Sequence, residues 1–168
     1  MKKLLKDYMK AIAGTTIQGD AREESYYDSL KALFSDFPLD EERNTKVTVL
    51  PKQTEAGNPD FRVWDGEHFI VGYIEAKTPG TNLDQVETSE QLERYLNTFP
   101  NLILTDFYEF RLYRDGAEIN RVRIGRHFTA RTLKATPQLE NIDDFVALAD
   151  QFFSFKLPKT FYAETLAV

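Results

Sequence analysis

The chain has 168 residues, of which 42% are hydrophobic and 13% aromatic, and its formal net charge is −6. This length and composition fit one domain with a sizeable core and argue against disorder. The chain has no cysteine, which excludes a disulfide framework and a thiolate metal site, and no run approaches the ~20 apolar residues of a membrane span. We therefore expect a protein of the cytoplasm with no membrane segment.

Residues 1–19 are interpreted as a leader before the domain, either a short helix or a mobile segment. Leucine, lysine and tyrosine recur at loosely helical spacing up to residue 13, and Gly14 then interrupts the pattern. From Asp20 to Phe34 the apolar residues recur every three or four positions, which predicts an amphipathic helix with Asp20 as a candidate N-cap. Glu23 falls in the first turn of this helix, where the helix dipole alone already favours an acidic residue.

The segment 57–77 predicts a β-hairpin. Two β-rich runs flank Asp65-Gly66, which is a strong signal for a two-residue turn. Such a hairpin brings Asp60 back toward Glu75. Because side chains alternate along a strand, Glu75 and Lys77 share one face, so the three ionisable groups can converge.

Two carboxylates and an ammonium group at one strand end repel or desolvate one another unless a ligand uses them. A hard divalent cation prefers oxygen ligands, and Mg²⁺ fits this description best. The group therefore predicts a metal site for hydrolytic cleavage of phosphodiesters, in which Lys77 orients or deprotonates the attacking water. The alternative is structural: Glu75 and Lys77 form an ion pair on a solvated strand, and Asp60 caps a turn.

A helix is predicted after the hairpin, from Asp84 or Thr88 to about Thr98. Gln91 and Tyr95 lie four positions apart on one face of this helix, so both are directed toward one neighbour. Ordinary packing of Tyr95 beside a solvated Gln91 would produce the same spacing, and the sequence leaves both interpretations open.

The remaining predicted elements complete a sheet. The apolar run 102–104 predicts a strand covered on both faces, which we expect to be the central parallel strand, reached through the preceding helix. A further strand is predicted over residues 46–50, and a second hairpin over 108–124, turning at Asp115-Gly116. The apolar spacing over 142–155 predicts a closing helix.

Basic residues concentrate between positions 111 and 134, where seven bases outnumber two acids. This local excess predicts a phosphate-facing surface, with Arg121, Arg123 and Arg126 as candidate contacts, although the negative net charge of the chain opposes strong DNA binding. Alternatively, Arg121 and Arg123 occupy the solvent face of an edge strand. The seven bases are Arg111, Arg114, Arg121, Arg123, Arg126, Arg131 and Lys134.

Pro59-Asp60 followed by Glu75-Ala76-Lys77 resembles the signature of the PD-(D/E)xK nuclease superfamily. The order of the surrounding residues is similar too. A helix with Glu23 lies upstream, and Gln91 and Tyr95 downstream resemble the QxxxY element of the RecB-like branch.

A narrower resemblance is carried by residues 72–77, the helix over 91–95 and residues 101–113. These segments resemble the nuclease domain at the amino terminus of single-polypeptide restriction-modification enzymes, of the type IIG and type ISP kinds. The resemblance covers residues 20–125.

The resemblance implies an α/β fold, with a restriction-endonuclease-like mixed sheet flanked by helices, for a domain over residues 20–156. It implies an endodeoxyribonuclease that acts on double-stranded DNA and requires Mg²⁺, for which Mn²⁺ substitutes. Glu24 adjoins Glu23, so the sequence leaves open which of them is the helix acid. The implied roles are metal binding for Asp60, Glu75 and Glu23, assistance to the attacking water for Lys77, and positioning for Gln91 and Tyr95.

The resemblance also implies partners. Full enzymes of this kind continue into an adenine methyltransferase and a target-recognition region, and residues 157–168 are interpreted as a tail that begins a connection to such a region. A dimer would allow cleavage of both DNA strands. The alternative is a non-catalytic module on the same fold that binds nucleic acid or another protein.

Overall fold

In the part of the chain that the structure describes, six strands form one sheet in chain order. The structure is a computed structural model, and it describes residues 1–39, 44–66, 69–128, 132 and 135–155. Arg131, Lys134 and the predicted tail over 157–168 lie outside these residues. The strands are β1 (Lys46–Val49), β2 (Phe61–Trp64), β3 (Ile70–Ala76), β4 (Asn101–Thr105), β5 (Glu109–Arg114) and β6 (Ala117–Arg123). The helices are α1 (Lys2–Gln18), α2 (Tyr27–Ser35), α3 (Leu83–Glu87), α4 (Glu90–Thr98) and α5 (Ile142–Phe153), with a 3₁₀ helix at Glu23–Tyr26.

Among the strands of the described residues, β3 and β4 pair in parallel, and the other neighbouring strands are antiparallel. A parallel pair requires a crossover, which α3 and α4 supply. Every residue of β4 is buried, which confirms the prediction of a central parallel strand from its continuous apolar run. The carboxyl ends of β3 and β4 therefore lie together at one edge of the sheet.

The sheet separates two apolar clusters because side chains alternate between its faces. On one face, Ile74 and Ile103 pack in a cluster with residues of α1, α2 and α5. On the other, Tyr73, Leu102 and Leu104 pack with residues of α3 and α4. A mixed sheet covered by helices on both faces confirms the predicted restriction-endonuclease-like fold class.

The first helical region differs from its prediction. Helix α1 runs through Gly14 without interruption and ends at Gly19, whose φ of 83° is left-handed. Thr15 and Thr16 are helical, and their hydroxyls donate to the carbonyls of residues 11 and 12, one turn back. Residues 1–19, interpreted as a leader, thus form a helix whose buried side chains, such as Leu5, belong to the core.

Two helices begin elsewhere than predicted, because side-chain caps decide where a chain turns into a helix. Asp20 is not an N-cap: the backbone stays extended to Arg22, whose N–H donates to the Ser25 hydroxyl at 3.0 Å, and a 3₁₀ turn then precedes α2. The single helix predicted from Asp84 or Thr88 is divided into α3 and α4. The Ser89 hydroxyl accepts from the N–H of Leu92 at 3.2 Å and starts α4 anew.

The two hairpins differ in their connections. Strand β2 ends at Trp64 and β3 begins at Ile70, so more than two residues connect them and the predicted two-residue turn is wrong; the N–H of Asp65 donates to the carbonyl of Phe69 at 3.0 Å. Between β5 and β6 the predicted turn is confirmed, because Asp115 and Gly116 alone connect the strands and both have positive φ. None of the helices in the described ranges is long and apolar enough to cross a membrane.

Candidate active site at the carboxyl end of β3

The sheet register brings Asp60 and Glu75 together. Phe61 pairs with Ile74, so Asp60, one position earlier, reaches the end of β3, where its Oδ2 accepts the N–H of Ala76 at 2.8 Å. Asp60 and Glu75 are 8% and 3% exposed, respectively, which is unusual for carboxylates. Burial of two acids beside each other needs a compensating charge or proton.

Lys77 connects these acids to helix α4. Its backbone N–H donates to the carbonyl of Thr105 on the neighbouring parallel strand at 2.8 Å, which holds the residue on the sheet. Its ammonium lies 3.1 Å from Glu75 Oε2 and 3.0 Å from Gln91 Oε1. The Gln91 amide in turn donates to the Tyr95 hydroxyl at 3.4 Å. Gln91 and Tyr95 thus share the face of α4 that meets Lys77, and one chain of polar contacts joins all four side chains.

Glu23 reaches the site through a residue to which the sequence analysis assigned no role, Tyr27. The Tyr27 hydroxyl lies 2.7 Å from Asp60 Oδ1 and 3.2 Å from Glu23 Oε2. Glu24, by contrast, is a half-exposed side chain 3.9 Å from Arg22. Of the two adjacent acids, the structure therefore places Glu23 at the site. The family resemblance already associated Glu23 with Asp60, but nothing in the sequence pointed to Tyr27 as the residue that joins them.

The surroundings favour protonation of these acids. Burial, and then the negative charge of Asp60, raise the pKa of Glu75 to about 8, against the opposing effect of the Lys77 ammonium. Burial also raises the pKa of Asp60, although the donors Ala76 and Tyr27 favour its charged form. Burial and the charge of Asp60 raise the pKa of Glu23. One ammonium group thus leaves three carboxyls undercompensated, and the site attracts further positive charge.

The donor set fits a small, hard divalent cation. Glu75 Oε1 is buried and has no hydrogen-bond partner among the described residues, which is costly for a carboxylate oxygen. No group of three or more His, Cys, Asp or Glu side chains within the described ranges is placed to hold a metal ion. Two carboxylates, from Asp60 and Glu75, match Mg²⁺, which commonly takes one or two protein carboxylates and keeps several waters.

Of the candidate phosphate-binding arginines, Arg121 and Arg123 lie on β6, the last strand of the sheet, and Arg126 follows it; carboxylates accompany all three. Arg121 lies 2.8 Å from Glu118, Arg123 lies 2.6 Å from Glu109, and Arg126 lies 3.6 Å from Glu140. All three remain about half-exposed. The local positive charge in the folded protein is therefore smaller than the basic segment of the sequence suggests, because acids from outside that segment lie beside it.

A chain in a cryo-EM structure of a DrdV–DNA complex is similar to this protein, with a TM-score of 0.69 and 23% sequence identity. The similarity covers 94% of the present chain but only 14% of that chain. At this identity the similarity shows a shared fold. No protein-family model matches the sequence, and no curated protein matches it.

Proposed function

We propose that this protein is the Mg²⁺-dependent endonuclease domain of a restriction-modification enzyme, which hydrolyses phosphodiester bonds of double-stranded DNA. The observation that carries the proposal is the convergence of Asp60, Glu75 and Lys77 at the end of β3, with one buried Glu75 oxygen lacking a partner among the described residues. The fold shared with a chain solved in complex with DNA supports the substrate class.

In this proposal Asp60 and Glu75 hold Mg²⁺, for which Mn²⁺ substitutes. When bound there, the cation supplies positive charge that offsets the negative charge developing on the phosphate. Glu23 supports the metal site through its contact with the Tyr27 hydroxyl. The buried carboxylates alone would repel DNA, so cleavage is expected only with the cation present.

Lys77 acts on the nucleophile in this proposal. Its ammonium is held between Glu75 and Gln91 at 3.1 and 3.0 Å, so its position is determined from two elements of the fold. From there the ammonium orients the attacking water by hydrogen bonding, or, once it has lost a proton to solvent, the neutral amine accepts a proton from that water. Gln91 holds Lys77, and Tyr95 fixes which way the Gln91 amide faces. Both are positioning residues.

The proposal extends to partners. The similar chain in the DrdV–DNA complex is much longer than this one, so a longer parent chain with a methyltransferase and a target-recognition region fits the proposed role. A dimer would place two sites on opposite DNA strands. Arg121, Arg123 and Arg126 are proposed to contact phosphates, in competition with their carboxylate neighbours. Such a system would work in the cytoplasm.

Two substitutions test the proposal. Lys77→Ala should lower the cleavage rate by about 10²–10⁴-fold and leave Mg²⁺ affinity largely intact, because it removes a group that acts on water. Asp60→Ala should abolish both cleavage and Mg²⁺ binding, since a hard cation cannot easily replace a lost oxygen ligand. Cleavage is measured on the chain joined to its natural DNA-recognition region, and Mg²⁺ binding is measured by calorimetry.

The control is Lys10→Ala, which removes one exposed lysine from α1 and should cut DNA like the parent. If Lys77→Ala also cuts at the parental rate, with contaminating nucleases excluded, Lys77 is not catalytic. The alternative, a non-catalytic binding module, then becomes the better description.

A further inference from the structure

The Tyr27 hydroxyl occupies the space between two acids of the proposed metal site. Tyr27 is the first residue of α2 and is almost fully buried. Its ring packs edge-on against Phe61, the residue that follows Asp60, with 4.9 Å between ring centroids and 63° between ring planes. A tyrosine has few side-chain torsions, so this packing fixes where its hydroxyl lies.

The distances around the Tyr27 hydroxyl indicate which acid accepts its hydrogen. A phenol has one hydrogen to donate, and Asp60 Oδ1 at 2.7 Å is nearer than Glu23 Oε2 at 3.2 Å. The other Asp60 oxygen, Oδ2, already accepts the N–H of Ala76 at 2.8 Å. Two donors, one from α2 and one from β3, therefore fix the plane of the Asp60 carboxylate. Each oxygen keeps a further lone-pair direction with which it can bind a cation.

We propose that Tyr27 is a positioning residue, which orients the Asp60 carboxylate for the cation and connects Glu23 to it. This inference rests on the proposed function and adds a residue outside the recognised motif. Groups that hydrogen-bond to metal ligands orient them, and their loss commonly lowers metal affinity about 10- to 100-fold. Tyr27 has the geometry of such a group for Asp60.

The same geometry defines the part played by Glu23. Its carboxylate contacts the Tyr27 hydroxyl, and no set of three carboxylates within the described ranges is arranged around one cation position. Glu23 therefore acts through Tyr27, by accepting or donating a hydrogen bond at the phenol oxygen. An amide at position 23 can make the same contact, whereas a methyl group cannot.

The first test compares Tyr27→Phe with Tyr8→Phe in the full chain. Tyr8 is a matched control because the residue is as little exposed as Tyr27 and its hydroxyl donates a hydrogen bond of the same 2.7 Å length, to the carbonyl of Phe107. Both variants should show a comparable fall in Tm without metal. Only Tyr27→Phe should weaken Mn²⁺ and Mg²⁺ binding in calorimetry, by about 10- to 100-fold.

Tyr27→Phe that binds Mn²⁺ as tightly as Tyr8→Phe overturns the inference and leaves the proposed function standing. A parent chain that binds neither Mn²⁺ nor Mg²⁺ overturns both. These two failures are distinguished by the parent measurement, which uses no DNA and no cleavage assay.

A second pair of variants tests Glu23. Glu23→Gln should bind Mn²⁺ within a few-fold of the parent, because its amide group can still hydrogen-bond to the Tyr27 hydroxyl by donating to the phenol oxygen, whereas Glu23→Ala should bind more weakly. Equal, large losses in both variants would identify Glu23 as a direct ligand and overturn its assignment as a residue acting through Tyr27. Parental affinity in Glu23→Ala would remove Glu23 from the site altogether.

Discussion

Replacement of Glu75 by Gln should stabilise the metal-free protein at neutral and alkaline pH. Glu75 is 3% exposed and its pKa is about 8 in the folded protein, because it is buried beside the charge of Asp60. Its ordinary value is 4.5. Between these values the folded state holds a proton that the unfolded state has released, so the free energy of unfolding falls as pH rises from about 4.5 to about 8. Glutamine cannot ionise, so the free energy of unfolding of the variant should not show this fall.

The magnitude follows from the pKa of Glu75. At 1.36 kcal/mol per pH unit, the interval from 4.5 to pH 7 corresponds to about 3 kcal/mol of destabilisation in the parent. Glu75→Gln keeps the side-chain volume and cannot ionise, so it should be more stable than the parent by that order at pH 7. The advantage should shrink to under about 1 kcal/mol at pH 5, where the folded parent is still protonated.

Mg²⁺ should offset the stability advantage of Glu75→Gln over the parent. Binding to the parent displaces the proton of Glu75, so Mg²⁺ affinity should rise with pH up to about 8. A ligand that binds only the folded state stabilises it in proportion to the logarithm of its concentration over Kd. Glu75→Gln lacks the charged oxygen and should gain little, so Mg²⁺ should narrow its advantage at pH 8 and make the parent the more stable protein beyond about 1,000 times Kd, where binding contributes about 4 kcal/mol.

The assay is urea unfolding at pH 5, 7 and 8, in EDTA and in Mg²⁺, followed by the fluorescence of the single tryptophan, Trp64. Glu93→Gln, on the exposed face of α4, is the control and should behave like the parent at each pH. A Glu75→Gln variant that is less stable than the parent in EDTA at pH 8, or whose advantage is the same at pH 5 and pH 8, would refute the reasoning.

Two further substitutions test the positioning and DNA-binding roles. Gln91→Ala removes the acceptor of Lys77 and should lower the single-turnover cleavage rate by about 10–100-fold while Mg²⁺ affinity is retained; loss of Mg²⁺ binding instead would assign Gln91 to the metal site. Replacing Arg121 and Arg123 together by Gln should weaken DNA binding and reduce the slope of log affinity against log salt by about one for each lost phosphate contact. A parental slope would show that their carboxylate neighbours, and not phosphates, occupy these arginines.

The approach of Asp60 to Glu75 and Lys77 was predictable from local sequence because a hairpin has few registers and side chains alternate along it. The prediction succeeded although the connection is longer than expected, since the pairing of Phe61 with Ile74 is independent of the turn type. Helix boundaries were less predictable. They depend on single capping hydrogen bonds, such as that of Ser89, and several residues near each boundary could have made one.

Local periodicity was therefore sufficient for the sheet, its central parallel strand and the group of Asp60, Glu75 and Lys77, because these depend on side-chain alternation and on short connections between neighbouring strands. It was insufficient for Tyr27, which meets Asp60 across 33 positions. This contact exists only after α2 packs on the sheet. The carboxylate neighbours of the arginines depend on strand register, as for Arg123 and Glu109, or on chain that returns to the sheet later, as for Arg126 and Glu140. The raised pKa of Glu75 has the same origin, since desolvation is a property of everything that surrounds the carboxyl and not of the residues beside it in the chain.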